Sequence, residues 1–215
     1  MRATTVRDVM TPSVVAVREE ADFKEMVHVM RNHRISAFPV IDAGNRVIGV
    51  VSEADLLLKE AAPELPQGTV RLTWRQKERS KAAGVTAAEV MTAPAVTIGE
   101  DAPVAEAARL MKSRKVKRLP VVDDSRRLRG IISRADVLSV YERPDVEIWD
   151  DVLKEIIAGE FGLDPEMFVV TVQSGVVTVT GSVDRRDDAL GLLGAIRHLE
   201  GVVGLRDRLS YPSAA

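Results

Sequence analysis

The chain has 215 residues, a formal net charge of −2, 46% hydrophobic residues and no cysteine. That length suits one or two domains with proper cores, and the missing thiols exclude a disulfide framework or a thiolate metal site. The near-neutral balance argues against nucleic acid as the default partner, and the absence of an apolar leader or a membrane-length segment leads us to expect a cytoplasmic protein.

Residues 5–10 read as a short capped turn leading into a strand at 14–17. Residues 20–33 place Ala21, Met26, Val27, Val29 and Met30 at helical spacing, which predicts an amphipathic helix. Strands follow at 38–41 and 46–51, around a turn at Asp42-Ala43-Gly44-Asn45, and a helix is expected over 53–60. Residues 61–85 read as a linker: Pro63, Pro66 and Gly68 end the helix, and 74–81 (WRQKERSK) is a charged, helix-compatible stretch. Its length leaves open a lid, a dimer arm, a partner contact or a plain solvated linker.

The β-α-β-β-α order then recurs from Val96 to Tyr141. After Pro144 a different pattern begins. Val146, Ile148, Val152, Leu153, Ile156 and Ile157 share a helical face, and 167–173 and 176–183 read as strands around a hairpin at Ser174-Gly175. Asp184 is expected to cap a helix with Leu190, Leu193, Ile196 and Leu199 on one face, before a last strand ending at Tyr211.

The recurrence is a gapless self-match. Asp136 lies 81 residues after Asp55, and the same offset pairs Val9-Met10-Thr11 with Val90-Met91-Thr92, Pro39-Val40 with Pro120-Val121, and Gly49, Ser52 and Ala54 with Gly130, Ser133 and Ala135. Two copies of a unit predict a pseudo-symmetric pair rather than a solenoid. In each, an apolar strand runs into a helix start, with Ser52 or Ser133 at the N-cap position and Asp55 or Asp136 in the first turn. Free N–H groups, a hydroxyl and a carboxylate side by side can hold a phosphate and a sugar diol. A plain helix cap would read the same way.

Val-Met-Thr, then Phe-Pro-Val-Ile-Asp or Leu-Pro-Val-Val-Asp, then Gly-h-h-Ser-x-x-Asp (h, apolar), twice in this order, resembles the CBS domain; two in tandem would form a CBS pair, the Bateman module. The resemblance implies domains at 1–60 and 86–142 and an adenosine-containing ligand between the copies: AMP, ADP, ATP or S-adenosylmethionine. It would make Asp55 and Asp136 the ribose-binding carboxylates and Ser52 and Ser133 the phosphate contacts. Adenine would lie between Val14 or Ala95 and the residues before the prolines, Phe38-Pro39 or Leu119-Pro120. A homodimer built from CBS pairs is also implied.

The copies differ in charge. Lys115, Lys117, Arg118 and Arg134 in the second stand where the first has Arg34, Ser36, Ala37 and Glu53. Cations favour phosphate and Glu53 repels it, so the Asp136 pocket is expected to bind the phosphorylated ligand more tightly.

The C-terminal Val-x-Val-x-x-Gly-x-Val-x-Val-x-Gly-x-Val, read from Val170 to Val183, resembles the BON domain over 146–211. That resemblance implies a phospholipid or protein partner. The expected fold is therefore α+β (α/β): two β-α-β-β-α CBS repeats plus a small α-β-β-α-β BON-like domain. His28, His33 and His198 are scattered without ligand spacing, and no nucleophile motif or phosphate loop is present, so neither a metal site, a required cofactor nor catalysis is expected. The expected function is nucleotide-responsive regulation through the BON-like domain or a partner. The alternative is a dimeric scaffold with empty pockets.

Overall fold

The computed structural model describes residues 4–61 and 81–211, and the expectations for Pro63, Pro66, Gly68 and a helix from Trp74 lie outside the described residues. Two compact units form, Thr5–Arg134 and, separately, Thr4 with residues 135–211.

In the first unit, each copy folds a three-stranded sheet. β1 (Val17–Arg18) lies parallel to β2 (Ala37–Ile41), which pairs antiparallel with β3 (Val47–Ser52). The second sheet repeats this with β4 (Ile98–Gly99), β5 (Arg118–Val122) and β6 (Leu128–Ser133), down to the register shift at Val40/Ile41 and at Val121/Val122. The first helix of each copy, Phe23–His33 or Val104–Arg114, ends on a left-handed residue, Arg34 (φ 52°) or Lys115 (φ 56°). In the first copy, Asp22 caps that helix by accepting from the Glu25 N–H at 2.8 Å. Met26 and Met30 then point into a core with Val17, Phe38, Val40, Val51 and Leu56.

The opening strands are shorter than the apolar runs predict. Only Val17 and Arg18 reach β2, because Thr11 is already tied to Ile131 of the other copy by two backbone bonds of 2.9 and 3.0 Å. Residues 14–16 span the gap between the two and pair with neither.

The copies exchange their opening turns. Thr5 caps the helix Val6–Val9 through a reciprocal box with Asp8, and Thr86 does the same with Glu89 for Ala87–Val90. Yet the N–H groups of Val6 and Arg7 donate to Ala102 and Glu100 of the second copy, while those of Ala87 and Ala88 donate to Ala21 and Glu19 of the first. Ala87 and Val90 are fully buried in the first copy's core. β3 and β6 also meet, through Val47 N–H to Arg126 and Leu128 N–H to Asn45, each at 3.0 Å.

The second unit has the expected α-β-β-α-β order. Helix Asp145–Asp151 continues as a π-helical segment, Val152–Glu160, and packs on a sheet of β7 (Phe168–Gln173), β8 (Val176–Ser182) and β9 (Gly204–Ser210). β7 and β8 form the hairpin at Ser174 (φ 52°) and Gly175 (φ 72°), two positive values as a type I′ turn requires, and β9 runs parallel to β8. A Cβ at Gly175 would stand 2.8 Å from the Gly201 carbonyl, so the turn has room only for glycine. The helix Arg186–His198 begins one residue later than expected, with Arg185 rather than Asp184 at the N-cap. Its buried face is Ala189, Leu192, Leu193 and Ile196, followed by Leu199 beyond the helix; Leu190, expected inside, is 53% exposed.

Candidate ligand-binding cleft

The strand–helix junctions sit where the copies interlock. β3 runs through Gly49 to Ser52, and the helix Glu53–Ala61 starts at the next residue. A Cβ on Gly49 would stand 2.3 Å from the Met91 sulfur and 3.0 Å from its Cβ; one on Gly130 would stand 2.5 Å from the Met10 sulfur and 3.1 Å from the Thr11 carbonyl. The glycine of each Gly-h-h-Ser-x-x-Asp is therefore the socket for the methionine of the other copy's Val-Met-Thr. This carries the next residue across as well: Thr92 exchanges backbone hydrogen bonds with Val50 at 2.8 and 3.1 Å, as Thr11 does with Ile131.

The consequence at Asp55 is a closed polar cluster. Asp55 Oδ2 accepts from the Ser52 N–H at 2.9 Å and the Ser52 hydroxyl at 2.6 Å. The serine hydroxyl thus donates to the carboxylate rather than accepting a helix N–H as an N-cap would. Asp55 Oδ1 accepts from Thr92 Oγ1 at 3.2 Å and forms an ion pair with Lys81, whose Nζ also donates to Thr92 Oγ1 at 2.7 Å. Lys81 is only 8% exposed. Burial pushes the Asp55 carboxyl upward, but the Lys81 ammonium and the two Ser52 donors outweigh it and hold Asp55 below the ordinary carboxylate value.

Lys81 was legible only as part of a charged linker. Thr92 stood in a recurring tripeptide, but without a role. The recurrence of that threonine was the available signal; which copy it would serve was not encoded locally.

The other expected site residues fall into three groups. Phe38 and Leu119 are fully buried in β2 and β5, with Ala37, Pro39 and Pro120 buried beside them. Val14 and Ala95 are half-buried in the irregular segments ahead of β1 and β4, where they retain accessible surface. The polar residues diverge. Arg118 reaches back to the first copy, donating to the Ser36 hydroxyl at 2.8 Å and the Ala37 carbonyl at 3.2 Å. Lys117 is exposed; Arg134 is exposed, and its guanidinium donates to the Val116 carbonyl at 3.1 Å. Ser133 ends β6 and Asp136 lies in the first turn of the helix Arg134–Leu138, each half-buried. Among the described residues no cluster of His, Asp or Glu could hold a metal ion, and no helix is long and apolar enough to cross a membrane.

A pseudo-symmetric pair of β-α-β-β-α units, interlocked through their opening turns, defines a tandem-repeat module. The CBS domain model matches residues 6–61 and 87–143, more than half of the sequence, and the chain belongs to that family. A chloroplastic CBS domain-containing protein of Arabidopsis thaliana, CBSX2, is 31% identical over 62% of this chain and 62% of its own length. An uncharacterized protein of Methanopyrus kandleri is 31% identical over 65% of this chain and 64% of its own. The matches thus span just under two thirds of these relatives. The inosine-5′-monophosphate dehydrogenase of Methanocaldococcus jannaschii is also similar, at 29% identity, but over only 23% of that enzyme.

Among solved structures, CBSX2 in complex with AMP superposes with a TM-score of 0.56 and 32% identity, covering 62% of this chain and 93% of that one. The CBS domain pair of protein MJ0100 in complex with 5′-methylthioadenosine and S-adenosyl-L-methionine shares the fold, with a TM-score of 0.52, 23% identity, and coverage of 65% and 97%.

Proposed function

We propose that the chain is a non-catalytic regulatory protein that binds an adenosine-containing ligand (AMP, ADP, ATP or S-adenosylmethionine) between its two CBS copies. At the first junction the polar cluster is shared, with Ser52 and Asp55 from one copy and Thr92 from the other. The observation that carries this is the Asp55–Ser52–Thr92 cluster, in which a carboxylate, a hydroxyl and a cross-copy hydroxyl converge within hydrogen-bond distance. A carboxylate suits a vicinal diol, because it can accept both hydroxyl hydrogens, although at Asp55 the Lys81 ammonium holds one of the same oxygens. The relative solved with AMP lends the ligand class.

The dominant pocket is proposed at the Gly130–Asp136 segment, where Ser133 and Asp136 would take phosphate and ribose. Lys117, Arg118 and Arg134 add positive charge to that copy, whereas the first has Ser36, Ala37 and Glu53 in their places. A ligand spanning the copies would bias their relative arrangement by its differential affinity for each state. Residues 146–211 are proposed as a BON-like domain that receives this signal or holds a phospholipid or protein partner. The α-β-β-α-β order supports that assignment.

A homodimer is proposed through exposed helix faces of the CBS pair. In its favour is a groove of about 370 Å³ lined by Phe23, Val27, Met30, Leu56 and Leu57, the last 64% exposed. A cytoplasmic setting is retained as part of the same reading.

Calorimetry with AMP, ADP, ATP and S-adenosylmethionine on wild type, Asp136→Ala and Asp55→Ala tests the reading. Binding abolished mainly by Asp136→Ala is the expected result. No heat and no thermal shift with any of the four would leave the scaffold reading in its place.

A further inference from the structure

Lys81 lies outside the repeated span, ahead of Thr86 where the second copy's match begins, and still reaches the centre of the first copy's polar junction. Its ammonium is buried against Asp55 and Thr92. The carboxylate is fully subscribed. Oδ2 takes the Ser52 N–H and hydroxyl, and Oδ1 takes the Thr92 hydroxyl and the Lys81 ammonium. An ionised carboxylate offers about four lone-pair positions, so no acceptor remains for a ribose diol.

We infer that Lys81 is a built-in occupant of the Asp55 site, a specificity-determining residue that closes this half of the module to adenosine ligands. This rests on the nucleotide-binding reading above and adds to it that the limit on the first pocket is an internal cation, not only the charge of Glu53. A ribose could enter only by expelling the ammonium. Lys81 would then be either a buried cation stripped of its anion, which is strongly disfavoured, or a side chain driven out into solvent. The neutral hydroxyls of a sugar do not replace the ion pair it loses. Removing the ammonium while keeping an apolar stem should leave Asp55, Ser52 and Thr92 in place with Oδ1 available, and so create a working second site.

The test is AMP binding by equilibrium dialysis on the full chain, comparing wild type, Lys81→Met and Lys81→Met/Asp136→Ala, each first checked for a cooperative melt. Wild type is expected to bind one AMP. Lys81→Met is expected to bind two, and the double variant to keep one, lost again on adding Asp55→Ala. Two equivalent sites in wild type, or no gain in a folded Lys81→Met, overturns the inference.

If no variant binds AMP, the nucleotide reading fails and a ligand-independent measurement decides the occupancy of Asp55. Pulse acetylation read by mass spectrometry should label Lys81 at least tenfold more slowly than exposed Lys117, and Asp55→Asn should remove that protection. Labelling of Lys81 at the rate of Lys117 overturns the inference without reference to any ligand.

Discussion

At Asp55, solvent exclusion and charge pull in opposite directions. Burial disfavours the ionised carboxyl, yet Lys81 and the paired Ser52 donors leave it below its ordinary value. A carboxyl lowered in the folded state stabilises the fold above its unfolded pKa of about 3.9, and that contribution disappears as pH falls through the folded value. Chemical denaturation of wild type and Asp55→Asn across pH 2–7 should therefore show a gap that is constant above about pH 5 and narrows below pH 4. At neutral pH the gap should be about 3 kcal/mol, because the substitution strands a buried ammonium. A gap that widens in acid would contradict the ion pair.

The glycines at 49 and 130 make a steric prediction of the same kind. An added methyl meets the root as well as the tip of Met91 at Gly49, and a backbone carbonyl besides Met10 at Gly130, so rotation of the methionine alone cannot clear it. Gly49→Ala and Gly130→Ala should each cost about 1–3 kcal/mol, the usual range for an overpacked site. In a double-mutant cycle, Met91→Ala should recover part of the Gly49→Ala loss, whereas Leu192→Ala, in the separate C-terminal core, should add to it.

Among elements, the C-terminal hairpin shows how a turn is fixed from outside itself. Asp145, at the start of the helix Asp145–Asp151, accepts from the Ser174 and Gly175 N–H groups at 2.7 and 2.8 Å. Asp145→Ala should cost about 1–2 kcal/mol, since two charge-assisted bonds are lost in a partly solvated place. Proton-exchange rates at Ser174 and Gly175 should rise first.

The same helix shows the limit of periodicity. Its apolar spacing correctly implies that Ile148, Val152, Ile156 and Ile157 are buried, but Val146, read on the same face, is 68% exposed, and the widening into a π-helical segment after Asp151 has no signature in that spacing. Leu190 is a comparable miss. Leucines at 190 and 193 both suit a helical stripe, and only packing against the sheet selected the face carrying Leu192 and Leu193.

For the molecule as a whole, ligand linkage is the relevant observable. At a free concentration one hundred times Kd, a nucleotide that binds only the folded chain adds about 2.7 kcal/mol of stability. Thermal melts of wild type with AMP should rise accordingly, and Asp136→Ala should flatten the rise. A shift unchanged in Asp136→Ala but removed by Asp55→Ala would reverse the proposed order of the two pockets.

The sequence by itself determined what is local and what is repeated. Alternating and helical apolar spacing, the capped turn at residues 5–10, the Ser174-Gly175 turn and the gapless 81-residue offset together specified two copies of one unit and a distinct C-terminal α-β-β-α-β segment. These features are legible because caps, turns and amphipathic faces depend on residues only a few positions apart.

Tertiary structure alone decided which copy each turn serves. Thr92 lies 37 residues from Asp55 and Lys81 lies 26 away, and nothing at either position distinguishes a partner of Asp55 from a solvated side chain. The choice was made by exchange of the opening turns, which seats Met91 in the space left by Gly49 and carries Thr92 to the Asp55 carboxylate. Burying a carboxylate there demands a nearby cation, and the closed chain supplies Lys81. That long-range electrostatic requirement is absent from local spacing.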